Sequence, residues 1–374
     1  MKKVKMLNNR INVNLGARSY LIHIGNGLLN HFGKIIDNTV SSKKIVVLTV
    51  RPIFNKYGRI LGKSLRKEGI NFNTILIPDG ENQKTEKILF LILKKMTNHG
   101  LQRDCALISF GGGVVGDLGG LAASIYMRGI DFLQCPTTLL AQVDASIGGK
   151  TAVDFGGIKN LIGTFYQPKT VLIDPLLLMS LNNRQYTSGL AEIIKYGIIQ
   201  DAVLFKKIED KTKNVINRDP EILNFIIRRS CELKARIVSE DEKEKGKRSW
   251  LNYGHTLGHA LESYFKYKIL THGEAIAYGM YFAAKLSQRL NICTDEVPRR
   301  QNELLRKVGL FRKLPRFDIR TIYKKMILDK KGNNGKVQFI LTRKIGLVTI
   351  QKNIPKSIIL SALKQFQTDA NGLY

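Results

Sequence analysis

Cys105-Ala106-Leu107-Ile108-Ser109-Phe110-Gly111-Gly112-Gly113-Val114-Val115-Gly116-Asp117 carries a strand-like run straight into a glycine-rich turn. Its first six residues are an apolar run of strand length broken only by Ser109, and the segment from Gly113 to about Tyr126 reads as a helix. A strand that enters a glycine-rich turn and leaves as a helix offers backbone N–H groups, and the positive end of the helix, to an anion. Gly111, Gly113 and Gly116 satisfy the spacing G-x-G-x-x-G. That spacing alone is weak, because the same glycines could serve only tight packing. The position also differs from a simple Rossmann unit, in which the turn follows the first strand and an acidic residue stands about 20 residues on. Here earlier strands precede the turn, and Asp131 lies nearer. The stretch points to a dinucleotide held in a non-standard α/β frame.

Upstream, residues 10–14 and 19–24 alternate like an opening pair of strands, and residues 45–50 and 71–77 are further strand-like runs. Residues 86–98 carry Ile88, Leu89, Leu91, Ile92 and Met96 on or near one helical face. Downstream, residues 131–135 and 170–173 continue the β-rich half. Strands alternating with helices argue for a mostly parallel sheet. After about Asp174 the texture changes: residues 181–199, 220–240, 255–264, 273–290 and 297–308 read as helices. Residues 337–341 and 346–350 predict a hairpin, followed by a final helix from Pro355. No internal repeat or low-complexity segment interrupts this order. The expectation is an α/β dinucleotide-binding domain over residues 1–178 and a mainly helical metal- and substrate-binding domain over residues 179–374. Ligand sites favour the clefts of such pairs.

At 374 residues the chain can bury a large core, and 44% hydrophobic against 24% charged residues is the balance of a globular protein rather than a disordered one. No apolar run reaches the roughly 20 residues needed to span a bilayer. The basic segment 1–10 is followed by no apolar stretch of a secretory signal. Cys105, Cys135, Cys231 and Cys293 are scattered without a C-x-x-C pair, which fits reduced thiols in a cytosolic protein. Sixty Lys and Arg against 30 Asp and Glu give a net charge of +30, a field that attracts anions. The cations run from end to end without the aromatic clustering or module of a nucleic-acid reader. The even spread of the charge therefore argues for a solvated basic surface that favours small anionic ligands over nucleic acid, and the lack of a spanning run argues for no membrane partner.

Of six histidines, His23, His31 and His99 stand alone, whereas His255, His259 and His272 fall together. His255 and His259 are four apart and share a helical face. Glu192 sits in Leu190-Ala191-Glu192-Ile193-Ile194-Lys195, an apolar setting where a carboxylate needs a partner. Two imidazoles and a carboxylate with an open fourth position make a catalytic zinc set. Spacing alone pairs His255 with His259 and leaves the third ligand open. The competing reading, ordinary core or surface histidines, weakens when three lie so near one another beside glycine-rich turns.

Asp144, Gly148-Gly149-Lys150 and Lys159-Asn160 form the densest polar stretch. Lys195 follows Glu192 by three residues on one helical face, and Lys234 and Arg248 flank the histidines. Lys and Arg suit phosphate and carboxylate through charge-assisted hydrogen bonds. In a chain this basic most lysines are solvated charges. Lys150, Lys159 and Lys195 stand out because glycines and apolar residues surround them.

Taken together, these motifs resemble the dehydroquinate synthase family, in order and over nearly the whole chain. They are residues 110–117, Tyr126-Met127-Arg128-Gly129, residues 136–144, Gly148-Gly149-Lys150, Lys159-Asn160, residues 189–197, Glu232-Leu233-Lys234-Ala235, residues 252–259, His272-Gly273-Glu274-Ala275 and Asp329-Lys330-Lys331. The resemblance implies a zinc, or cobalt in its place, held by Glu192, His255 and His272, and moves His259 from ligand to substrate phosphate. It implies substrate contacts at Asp144, Lys150, Asn160, Lys195, Lys234, Arg248, Asn252 and His259, with Lys336 following a variable loop. Arg128 matches a residue that reaches a neighbouring subunit's site, which implies a homodimer. For NAD it implies Glu81 and Lys84 near the ribose, Gly112 and Gly113 at the pyrophosphate and Asp117 at the nicotinamide. Val114, Thr137, Thr138, Lys150 and Lys159 complete the implied cofactor contacts.

The implied reaction, in aromatic amino acid biosynthesis, turns 3-deoxy-D-arabino-heptulosonate 7-phosphate into 3-dehydroquinate and phosphate. It proceeds by transient oxidation by NAD, phosphate elimination, re-reduction and intramolecular aldol closure. Alternatives are a sister sugar-phosphate cyclase, a polyol dehydrogenase of related fold, and a basic nucleic-acid-binding protein whose catalytic residues are relics. Arg248 with Lys234 and Asn252 favours a substrate that bears a carboxylate. One position departs from the family: after the strand at 45–49, where Asp or Asn commonly holds the adenosine ribose, stands Val50, followed by Arg51 and Pro52. A lost hydrogen bond of about 1 kcal/mol predicts weaker NAD binding, restored by Val50→Asp.

Overall fold

The computed structural model describes residues 10–42, 44–244, 246–328 and 337–373. These fall into two compact units. The first comprises the residues up to Leu181 together with Leu223–Glu242; the second comprises Asn182–Ile222 and the residues from Lys243 onward. The helix Pro220–Glu240 thus belongs almost wholly to the first unit, although it follows the start of the second in the chain.

The first unit is built on β1 (Arg10–Val13), β2 (Tyr20–Ile24), β3 (Lys44–Val50), β4 (Asn71–Ile77), β5 (Ala106–Gly111), β6 (Asp131–Pro136), β7 (Lys150–Phe155), β8 (Ile158–Phe165) and β9 (Thr170–Ile173). Seven of these form one sheet in the order β1-β2-β9-β6-β5-β3-β4. β1 pairs antiparallel with β2, and the other neighbours are parallel. β5 is buried along its whole length and β3 beyond its first residue. Helices cover both faces of such strands, which is why each reads as an almost continuous apolar run, with Thr49 and Ser109 as buried polar exceptions. Alternate residues of β3 serve opposite cores: Val46, Leu48 and Val50 pack with Leu118 and Leu121 of the helix Gly113–Ile125, and Ile45 and Val47 with Leu61 and Leu65 of the helix Arg51–Lys67.

From β3 the chain goes to β4 on one side and then crosses to β5 on the other. The carboxyl ends of β3 and β5 therefore flank a topological switch point, the crevice where open α/β sheets take their ligands. Val50 closes β3 and Gly111 closes β5. The glycine turn accordingly follows an inner strand of the sheet rather than the first.

The polar stretch around Lys159 lies in β8. β7 and β8 form an antiparallel hairpin with Val153 opposite Ile162, closed by Gly156 and Gly157, both in the left-handed region. A Gly-Gly pair between two strands is a hairpin signal that the sequence carries openly.

In the second unit, the described residues form helices Asn183–Gln200, Ala202–Asp210, Thr212–Ile216, His255–Tyr264, His272–Arg289, Glu296–Lys307, Ile319–Leu328 and Lys356–Asp369. Beside them lies the hairpin of β10 (Phe339–Lys344) and β11 (Leu347–Gln351). The first helix starts at Asn183 because the Asn182 side chain accepts from the Gln185 N–H at 2.8 Å. His272–Arg289 starts with a capping box: Thr271 accepts from the Glu274 N–H, and Glu274 accepts from the Thr271 N–H. Among the described residues no helix is long and apolar enough to cross a membrane.

Candidate active site

Gly112 caps the helix Gly113–Ile125 in extended conformation, and no side chain caps the first turn. Its leading N–H groups can therefore meet an anion. None of Gly111, Gly112, Gly113 and Gly116 has a positive φ, so these glycines serve close approach. A Cβ on Gly111 would fall 2.6 Å from Val115, so packing requires that glycine, whereas one on Gly116 would meet only the movable end of the Gln134 side chain, at 2.9 Å. A Cβ on Gly113 would make only an ordinary contact, 3.5 Å from Ala145, so packing does not explain that glycine. Thr137 donates its N–H to the Gly111 carbonyl at 2.9 Å, and its buried hydroxyl has no hydrogen-bond partner. A spare glycine after β5 and an orphaned hydroxyl after the neighbouring β6 fit a pyrophosphate. Thr138, whose hydroxyl accepts from the Ala141 N–H at 3.2 Å, follows Thr137, and Val114 beside Gly113 is half-buried.

Lys84 is buried and donates to both Asp117 and Asn160. Burial pushes the Asp117 carboxyl above its ordinary range, and Lys84 opposes that rise. Lys159 pairs with Glu81 at 2.9 Å. Asn160 sits in the left-handed region, its N–H held by Asp154 Oδ1 at 2.9 Å. Asp117, Lys150 and Asn160 line one cavity of about 400 Å³ with residues of the β7–β8 hairpin. Lys234, on the helix Pro220–Glu240, donates to the Asp144 carbonyl at 2.6 Å and to its Oδ1 at 2.7 Å. Arg128 is exposed and, like Met127 before it, left-handed, a conformation costing about 1–2 kcal/mol per residue.

In the second unit, Glu192 is fully buried on the helix Asn183–Gln200 and is paired with the buried Lys195 one turn on. Its Oε1 lies 3.6 Å from His255 Nε2 and 3.5 Å from His272 Nε2. These three residues bring their ligand atoms within 4.8 Å of one another, and so do His259, Glu262 and His272. Burial, then the charge of Lys195, drives His255 well below its ordinary pKa, so its imidazole is neutral, the form that binds a metal. Burial alone would lower His272 too, but Glu262 and Glu192 outweigh it and push the ring up to about 10. Surroundings that hold a proton this tightly also suit a divalent cation. One carboxylate oxygen and two Nε2 atoms converging on one point fit a zinc with an open coordination position.

Spacing alone had paired His255 with His259. Their ring centres are 5.1 Å apart, but Glu192, from a distant helix, faces His255 and His272. Arg248 is buried in the short turn Lys247–Asn252, and Asn252 donates to Glu244 Oε1 at 2.8 Å. Lys336 and Asp329-Lys330-Lys331 lie outside the described residues. Sequence reasoning passed over Glu262, which stands 3.3 Å from His272 Nδ1. It also passed over Arg184, whose guanidinium clamps Glu274 with two contacts of 2.8 Å at the start of the helix bearing His272. Glu262 follows His259 by three residues, a helical spacing that could have found it.

Residues 74–188 match the family model described as 3-dehydroquinate synthase N-terminal, and residues 189–332 match the one described as 3-dehydroquinate synthase C-terminal. A 3-dehydroquinate synthase of Rippkaea orientalis (strain PCC 8801 / RF-1) is 45% identical over 356 residues, covering 94% of this chain and 97% of that protein. Among solved structures, 2-deoxy-scyllo-inosose synthase complexed with carbaglucose-6-phosphate, NAD+ and Co2+ is 26% identical with a TM-score of 0.87, covering 95% of this chain and 99% of that one. The 2-epi-5-epi-valiolone synthase from Streptomyces hygroscopicus subsp. jinggangensis 5008, with NAD+ and Zn2+ bound, is 26% identical with a TM-score of 0.86, covering 93% and 97%.

Proposed function

The chain belongs to the 3-dehydroquinate synthase family, and from that membership we propose that it converts 3-deoxy-D-arabino-heptulosonate 7-phosphate into 3-dehydroquinate and phosphate, as an NAD- and zinc-dependent lyase. The observation that carries the proposal is the convergence of Glu192, His255 and His272 in a chain that also bears an anion-ready glycine turn. NAD and a divalent metal are supported further by their presence together in two solved structures of similar fold.

When bound, NAD+ takes up and returns a hydride while zinc, or cobalt in its place, acts as a Lewis acid on the oxygen of the oxidised carbon. Glu192, His255 and His272 would hold the metal, with Lys195 beside them balancing the buried carboxylate. We assign nucleotide binding to the first unit: the turn Gly112-Gly113-Val114 with Thr137 and Thr138 at the pyrophosphate, Glu81 and Lys84 at the ribose, Asp117 at the nicotinamide, and Lys150 and Lys159 nearby. For the substrate, Arg248 and Lys234 would hold the carboxylate, and Lys150, Asn160, Asn252 and His259 the phosphate. Asp144 would aim Lys234, which it already binds. Lys336 belongs to the same proposed set. Anchoring both ends of a flexible substrate keeps one molecule oriented through several steps.

A homodimer with Arg128 directed at the neighbouring site is part of the proposal. It is supported by exposed apolar residues of the β7–β8 hairpin, among them Phe155, Ile158 and Ile162, which a second subunit would cover. Cytoplasmic action is supported by four cysteines that are all free.

The test follows phosphate release from the seven-carbon substrate together with absorbance at the NADH band. Phosphate release that needs NAD and zinc without NADH accumulating is the expected result. Steady NADH accumulation would indicate a dehydrogenase, and no turnover with both cofactors supplied would point to a sister cyclase's substrate.

A further inference from the structure

An imidazole ligates through one nitrogen when the other carries the proton, so the partner of the far nitrogen sets the ligand. In His255, Nδ1 lies 3.2 Å from the Tyr253 carbonyl, which can only accept. The proton therefore sits on Nδ1, and Nε2 turns its lone pair toward Glu192. His272 reaches the same state by another route: its Nδ1 lies 3.3 Å from Oε2 of Glu262, a buried carboxylate on the helix that also carries His255 and His259. We propose that Glu262 is a positioning residue of the metal site, fixing the tautomer and ring plane of His272 and so raising the affinity of Glu192, His255 and His272 for a divalent cation.

The competing reading is a second ion held by His259, Glu262 and His272, whose ligand atoms also lie within 4.8 Å of one another. An ion there that took His272 Nδ1 would displace the contact that nitrogen already makes with Glu262. The inference rests on the metal set proposed above, and its test separates the two.

Zinc affinity and stoichiometry are measured by chelator competition on the folded, metal-stripped chain and on Glu262→Gln, Glu262→Ala and His272→Ala, with the visible bands of the Co2+-loaded forms as a second readout. Glu262→Gln keeps an accepting oxygen but loses the charge, and is expected to weaken zinc binding by roughly tenfold; Glu262→Ala is expected to weaken it by up to about 100-fold. One zinc per chain and altered Co2+ bands accompany both. Unchanged affinity in both Glu262 variants, with loss in His272→Ala, would overturn the positioning role and leave the metal set standing. Unchanged affinity in all three would overturn the metal set itself. Two zinc ions per wild-type chain, falling to one in Glu262→Ala, would make Glu262 a ligand instead. Should Glu262→Ala not fold, Glu262→Gln alone decides.

Discussion

Gly279 rests directly on the backbone of Gly254: a Cβ built on Gly279 would lie 1.7 Å from the Gly254 carbonyl oxygen. Gly254 is itself left-handed, at φ +81, and a Cβ there would meet Met280 Cγ at 2.7 Å. This backbone-to-backbone crossing brings the helix His272–Arg289 against the start of the helix His255–Tyr264. His255 is the residue after Gly254, and His272 opens the helix that bears Gly279. Two glycines thus set how near the two imidazoles can come.

Gly279→Ala should therefore cost both stability and metal. Overpacking a tight contact costs about 1–3 kcal/mol, and the only relief is to move the two helices apart. Thermal melts are expected to show a lower Tm, and zinc titration a weaker or absent site. A variant that melts lower yet binds zinc as before would separate the crossing from the metal set.

Lys195→Met probes the buried pair. Removing one partner from a buried ion pair costs about 3–5 kcal/mol because the other charge is left uncompensated. Glu192 and Lys195 are both almost fully buried. A divalent cation on Glu192 would supply the missing positive charge, so zinc should raise the Tm of Lys195→Met by more than it raises that of the wild type. Calorimetry of metal-stripped protein with and without zinc checks this, and equal shifts in both proteins would sink the idea.

How much of this was legible depended on where each signal sits. β3 and β5 read directly because strands covered on both faces are nearly continuous apolar runs. β8 did not, because its apolar residues Leu161, Ile162 and Phe165 are exposed and Lys159 and Asn160 interrupt the pattern. His255 and His259 announced themselves by spacing on one helix. Glu192 became their neighbour only through tertiary packing, which no local period encodes, and the resemblance supplied it. The contact of Gly279 with Gly254 is likewise a fact of helix crossing, invisible in either segment alone. Glu262 was readable, since it shares the helix and the spacing of His259, but a carboxylate on a helix rarely attracts notice by itself.

His23, on β2, gives a pH prediction. Burial, then the charge of Arg10, lowers its pKa from the ordinary 6.5 to about 4. Between those values the unfolded chain binds a proton that the folded chain refuses, so stability rises with pH across that window. The contribution of neutral His23 is complete above about 6.5 and is lost progressively as pH falls toward 4. The Tm should drop more steeply from neutral pH to about 4 in the wild type than in His23→Gln. Parallel curves would show that His23 does not titrate with folding.

Val50 ends β3 and occupies the N-cap position of the helix Arg51–Lys67 without a capping side chain. Asp there could accept from the Ile53 N–H, because Pro52 has none to offer, and such a cap contributes about 1 kcal/mol. That gain offsets part of the cost of placing a carboxylate where Val50 is buried. With the ribose hydrogen bond also restored, Val50→Asp is expected to lower the NAD dissociation constant about fivefold, in keeping with roughly 1 kcal/mol. Fluorescence titration of the folded variant reads it, and an unchanged constant would mean that no ribose hydroxyl comes within reach of residue 50.

Gly113→Ala separates cofactor from packing. Gly113 opens the helix Gly113–Ile125, its φ is not positive, and a Cβ would lie no nearer than 3.5 Å to Ala145. At a compatible position, Gly→Ala stabilises by about 0.4–1 kcal/mol through the unfolded chain. If a pyrophosphate lies against this turn, the methyl occupies space the ligand needs, and NAD affinity should fall by roughly tenfold, about 1.4 kcal/mol. The expected result is a Tm equal to or above the wild type together with weaker NAD binding. Gly111→Ala should behave in the opposite order, losing Tm first, since its Cβ would fall 2.6 Å from Val115. A Gly113→Ala protein that melts higher and binds NAD as tightly as before would remove the pyrophosphate from this turn, and with it the reason for a glycine that packing does not require.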